Sequence, residues 1–251
     1  MKYALLVYGS ESCWTPEQWK DCVEKSATIC EELASQGKLL AASPLKPVAE
    51  STTVRVRDNK PLITAGPFAE TAEQLGGFYL LEVEDLDEAI SIASRIPPAQ
   101  VGTVEIRPVR ELDGLPESKV TSWAMMDPRH LNRYMLLCYD DERFWQNAGE
   151  EAHLAAMQEA IALTHEMDRA GHFVNASPLH SSESATSVRV RKGHKIVTDG
   201  PFAETAEVLG GYYLLLANDS SEALHYAARH SGARVGSVEV RQLADIHGGP
   251  Q

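Results

Sequence analysis

Asp199, Glu204 and Glu207 fall within one short stretch, Thr198-Asp-Gly-Pro-Phe-Ala-Glu-Thr-Ala-Glu207. Carboxylates set this close raise one another's pKa, which suits them to general acid or base work or to holding a cationic group. Glu204 and Glu207, three positions apart, share one side of a helical turn. Their proton partner would be a histidine, and all nine histidines lie after residue 129, so His-dependent chemistry belongs to the second half of the chain. His172 opens a strand and His180 follows Ser177-Pro178-Leu179 in a loop, both at strand ends where a cavity mouth would form. Arg189 stands on the polar side of an alternating strand and can bind a carboxylate bidentately. Tyr139, at the end of an apolar strand, with Phe202 and Thr205 of the motif, completes the candidate substrate-binding set. A competing reading makes Asp199-Gly200-Pro201 a tight turn, Phe202 a buried anchor, the histidines surface residues and the arginines cross-sheet partners. No histidine pair has zinc-ligand spacing, and no Gly-rich phosphate loop, nucleophile elbow or cysteine cluster occurs, so neither metal nor cofactor is expected.

The elements that must position these residues occur twice. Val54 to Leu81 aligns without a gap on Val188 to Leu215, with 19 of 28 positions identical. Asp199 is matched by Ala65, so one motif is complete and the other altered. Tyr3 to Tyr8 reads as a central strand, and Trp19, Cys22, Val23, Ile29 and Leu33 keep one apolar face on a helix opened by Pro16 and stopped by Gly37. Thr53-Val-Arg-Val-Arg57 alternates with valines in and arginines out, and Asp58-Asn59 turns it into a hairpin. A strand from Gly77, a helix with acids at its start near Asp85, and a strand from Gly102 to Pro108 complete the unit. Tyr134 to Tyr139 begins the repeat, with three extra residues near its first helix. The fold class is therefore α+β: two ferredoxin-like domains, βαββαβ plus hairpin, over residues 1–110 and 133–245, joined by a linker at 111–132. Each would have one apolar sheet face uncovered, and packing those faces together gives an intramolecular pseudo-dimer, an α+β barrel.

The net charge of −13 and the lack of a basic tract exclude nucleic-acid binding through phosphate neutralisation. No stretch has the length and apolarity of a membrane span, and Met1 to Tyr8 is too short for a secretory signal, so a cytoplasmic location is expected. The four cysteines are not shared between the halves and read as reduced thiols.

Thr198 to Thr205 with Leu209-Gly-Gly-Tyr212, Val188-Arg-Val-Arg191 and Gly236-Ser-Val-Glu-Val-Arg241 resembles the YCII-related family, specifically its DGPF branch. The resemblance covers nearly all of both halves. It implies a dimeric α+β barrel with a cavity between the sheets, here carried in one polypeptide and open to further homo-oligomerisation. Some wider relatives resemble enzymes that use a His and Asp pair on small organic acids. The expected function is binding of such an acid in the barrel cavity, with isomerisation or elimination by acid/base chemistry. The alternative is a non-catalytic regulatory or interaction module, since DGPF members are linked with extracytoplasmic-function sigma factors. Ala72 and Ala206 replace the lysine that many members carry after Glu-Thr.

Overall fold

The computed structural model describes residues 1–69, 71–120, 131–203 and 205–244. In the first half, β1 (Lys2–Gly9) is buried along most of its length. Helix α1 (Pro16–Ser35) starts from a capping box, in which the Thr15 hydroxyl accepts from the Gln18 N–H and the Gln18 side chain accepts from the Thr15 N–H. After β2 (Leu39–Pro44), β3 (Thr52–Arg57) and β4 (Lys60–Ala65) form a hairpin through Asp58 and Asn59, both in the left-handed region. Then come β5 (Gln74–Glu82), α2 (Leu86–Arg95) capped by Asp85, and β6 (Thr103–Pro108).

The second half repeats this as β7 (Asn132–Asp140), α4 (Glu150–Arg169), β8 (Phe173–Pro178), β9 (Thr186–Arg191), β10 (His194–Asp199), β11 (Val208–Ala217), α5 (Ser220–Arg229) and β12 (Ser237–Gln242). The three extra residues lengthen the connection after β7, which forms helix α3 (Glu142–Ala148). A turn of helix, α6 (Gly232–Val235), precedes β12. The connecting segment packs against the second half as far as Val120: the Lys119 N–H donates to Val174 O and Val120 is buried. Trp123, Met125, Met126 and Pro128 lie outside the described residues.

The two sheets run β10-β9-β6-β1-β5-β2 and β4-β3-β12-β7-β11-β8. The hairpin is thus not added to its own unit, as the sequence pattern suggested, but to the other one. Val188 of β9 pairs with Val104 of β6, and Val54 of β3 pairs with Val238 of β12, related contacts about the pseudo-two-fold. Arginines fasten each exchange. Arg191 donates to Ala99 O (2.8 Å) and Gly102 O (3.0 Å), and Arg57 to Ala233 O (3.0 Å) and Gly236 O (3.1 Å). The side chains expected to face solvent therefore cap carbonyls across the junction. Each sheet turns one face to its own helices and the other to the opposite sheet. Leu6, Phe78 and Leu80 meet Met135, Leu137 and Leu214 in the core between the sheets.

Because each sheet contains strands of both halves, the linker is dispensable once the protein is folded. A protease site introduced between Asp113 and Gly114 and cut under native conditions should leave two fragments that co-elute in size-exclusion chromatography. Separation of the fragments without denaturant would contradict the exchanged pairing.

Candidate functional site

The duplicated motif forms the loop between the exchanged hairpin and the next strand. Gly200 (φ 98°) and Gly66 (φ 99°) turn the chain out of β10 and β4 in a conformation that L side chains rarely adopt. The loop then crosses onto the other half. The Phe202 N–H donates to Glu105 Oε2 (2.9 Å) and its ring stacks on Tyr8 with centroids 3.7 Å apart. In the related position the Phe68 N–H donates to Glu239 Oε2 (3.1 Å) and its ring stacks on Tyr139 at 3.6 Å. Glu105 and Glu239 also pair with Arg107 (3.2 Å) and Arg241 (3.1 Å), inside the barrel. Arg107 goes on to donate to the carbonyl of His180, and Arg241 to that of Lys46 (2.6 Å). Each motif loop is therefore held by a buried ion pair of the opposite half.

These contacts fill the barrel end at which the sequence placed a ligand cavity. Only about 30 Å³ remains between Tyr8, Tyr139, Phe68 and Phe202, room for a water molecule or two. The candidate residues disperse. Asp199 is exposed at the end of an edge strand, paired through its backbone with Thr186. Glu207 lies 3.6 Å from Arg55 and accepts from the Ser237 hydroxyl, while Glu204 lies outside the described residues. Thr205 donates to Glu207 O (2.6 Å), bracing the turn. His172 is buried against Tyr226, 2.8 Å from its hydroxyl, and His180 is exposed. Arg189 donates to the Thr103 hydroxyl (2.8 Å), and Tyr139 stacks on Phe68 of the first half. Asp199, His172 and His180 are thus not brought to one site.

A larger cavity lies on the helix side of the second sheet. It measures about 490 Å³, within the range of small-molecule sites. Its floor is β7 and β11, its roof the face of α4 that carries His153, Ala156, Met157 and Ala160, and its rim α3 with Trp145. Asp140 enters from the end of β7, and its Oδ2 accepts from Trp145 Nε1 (2.8 Å). A Cβ at Gly210 would stand 3.2 Å from Asp140 Oδ1, so the glycine leaves that carboxylate its space. Burial lifts the Asp140 pKa from 3.8 to about 6, opposed by the Trp145 hydrogen bond and assisted by the charges of Glu142 and Glu207. Deeper in, His230 is pushed down to about 4 by burial, then by the charge of Arg234, and is neutral at pH 7. Burial also drives the Cys138 thiol far up, so no thiolate nucleophile is present there. At the mouth, burial and then the charge of Arg110 lower the His153 pKa.

Sequence reasoning passed over Asp140, His153 and His230. A signal was available in the differences between halves. Cys138, Asp140 and His230 stand where the first half has Val7, Gly9 and Ile96, and His153, Ala156 and Ala160 where it has Trp19, Cys22 and Ser26. The floor gained polar groups as the roof lost bulk.

A model of the YCII-related domain matches residues 1–113 and again 132–247. The chain belongs to the YCII-related family. An uncharacterised protein of Rhizobium meliloti (strain 1021), R00369, is 34% identical over 114 residues, which is 43% of this chain and 92% of that protein. One half of this YCII-related chain thus corresponds to nearly the whole relative. A solved structure described as a candidate chlorite dismutase, TA0507, superposes with a TM-score of 0.44 at 9% identity over 98% of this chain and 95% of that one. Among the described residues no helix is long and apolar enough to cross a membrane, and no cluster of His, Cys, Asp or Glu could hold a metal ion.

The two acids of the motif region should behave oppositely on substitution. Glu105→Ala leaves Arg107 buried without its carboxylate and should destabilise the protein by about 3–5 kcal/mol, whereas Asp199→Ala, on an exposed edge, should stay within about 0.5 kcal/mol of wild type. Urea denaturation of the two variants checks this.

Proposed function

We propose that the second half is a binding unit for a small organic acid, with Asp140 as its general acid/base. The observation that carries this is a carboxylate desolvated in a cavity of about 490 Å³, its pKa lifted to about 6, near enough to neutrality to accept and return a proton at physiological pH. Arg110 supports the choice of an anion. It lines the mouth and has no carboxylate partner among the described residues, whereas Glu142 already accepts from Ser182 N (2.8 Å) and from the Ser181 and Ser182 hydroxyls. The ligand's carboxylate would sit on Arg110 and its reacting carbon would face Asp140, between the apolar walls of Leu112, Met157 and Leu179. In this reading Glu207 fastens the loop and takes no part in the chemistry. The second reading, a regulatory or interaction module linked to sigma factors, is favoured by the filled barrel end, but it gives the pocket no task.

Asp140 also fixes a stability signature. Its folded pKa is raised, so the folded state binds the proton more tightly, and the contribution to stability is complete below pH 3.8 and lost as pH rises through about 6. Asp140→Asn should therefore raise the unliganded protein's stability at pH 7 by at most about 3 kcal/mol, with the gain shrinking at pH 5. Differential scanning fluorimetry against a panel of small carboxylic acids supplies the other arm. Acids should raise the melting temperature of the wild type, and Arg110→Ala should weaken them roughly tenfold or more. A panel in which only amines bind, or in which no acid binds, would overturn the assignment.

A further inference from the structure

Tyr213 and His230 form a second polar pair on the floor of the same pocket, and the duplicated chain shows what changed to make it. In the first half the counterpart Tyr79 has its pKa raised chiefly by burial, with hydrogen bonding to Ser26 of α1 acting the other way. In the second half Ser26 becomes Ala160 and the apolar Ile96 becomes His230. The tyrosine hydroxyl thus loses its partner on the roof and gains one on the floor.

The direction of the new hydrogen bond follows from its neighbours. The Gly232 N–H donates to His230 Nδ1 (3.0 Å), and a neutral imidazole that accepts at Nδ1 carries its proton on Nε2. That Nε2–H points at the Tyr213 hydroxyl, 2.9 Å away. Tyr213 is therefore the acceptor, and its own O–H proton remains to be given away. Only 7% of the surface of Tyr213 is exposed, and among the described residues its hydroxyl makes no other hydrogen bond. Its ring and the imidazole both line the pocket. Burial raises the phenol's pKa well above its ordinary value, which keeps the proton in place for donation.

We propose that Tyr213 is a catalytic hydrogen-bond donor to a carbonyl oxygen of the ligand, aimed by His230 as its positioning residue, and that the organic acids taken by this pocket are oxo acids. The inference rests on the reading of the pocket given above and narrows it. The Asp140 carboxylate would remove a proton from the carbon next to the carbonyl. That C–H bond breaks, its electron pair becomes the carbon–carbon double bond of an enolate, and the carbonyl oxygen takes the negative charge under the Tyr213 O–H. Where the ligand carries a further double bond conjugated with that enolate, protonated Asp140 would then deliver the proton to the far carbon of the conjugated system, so the reaction is an isomerisation that needs no oxidant or reductant. An oxygen that gains charge is stabilised more by a fixed donor than a neutral carbonyl is.

The test compares matched pairs of acids on the full chain by isothermal titration calorimetry: pyruvate against propionate, 2-oxoglutarate against glutarate, acetoacetate against butyrate. The wild type should bind the oxo member roughly 3- to 10-fold more tightly, the range of one net hydrogen bond. Tyr213→Phe should bring the two members level while the deoxo acid binds as before. His230→Ile, which installs the residue of the first half, should do the same, and ¹⁵N shifts of the wild-type imidazole should report the Nε2–H form whether or not that variant folds. A preference that survives Tyr213→Phe, or an Nδ1–H ring, overturns the donor role. Equal binding of both members by the wild type overturns this inference alone, whereas no binding of any acid removes the pocket reading beneath it.

Discussion

The structure depends on the junction between β6 and β9 and its counterpart between β12 and β3, where a hairpin of one half completes the sheet of the other. Ladder hydrogen bonds alone would make this a modest contact, three residue pairs at each junction. Buried ionic contacts turn it into an obligatory one. Glu105 and Glu239 receive the motif loop of the opposite half at the backbone N–H of Phe202 and Phe68, and each is already committed to a buried arginine. A buried pair of this kind adds little net stability over an apolar one, but removing either partner is costly, so it acts as a demand for one arrangement. The loop can satisfy that demand only from the other half. In each copy of the motif this geometry uses a glycine for the turn, a phenylalanine for the stack, and a glutamate and a threonine that brace the loop.

Much of the architecture was legible in the residues. The apolar runs at Tyr3 and Tyr134, the helix start at Pro16, the acids near Asp85 and the turn at Asp58-Asn59 predict elements that the structure contains. What strand alternation could not tell is which sheet a strand joins. Thr53 to Arg57 has one buried and one polar face in either sheet, and only the long-range partners, Val238 for Val54 among them, distinguish the two. The competing reading of Phe202 as an anchor concerned a single residue; that it and Phe68, each stacked on a tyrosine, would leave little volume is a property of the pair.

The pocket was illegible for a different reason. The two halves share the motif, whose phenylalanines and threonines are taken up in contacts within the fold. Asp140, His153 and His230 are differences, each replacing a residue with no titrating group. A raised acid, a neutral imidazole and a tyrosine with an unassigned proton then arise from burial, which spacing along the chain does not encode.

The exchanged hairpins are joined within one polypeptide, and that has a consequence for inheritance. In a symmetric assembly of two separate copies, every substitution is made twice, so a costly acid would have to be tolerated in both. Fusion uncouples the two: one lobe can keep the apolar residues that hold the shared framework while its sibling accumulates the groups that weaken it. Duplication here licenses asymmetry.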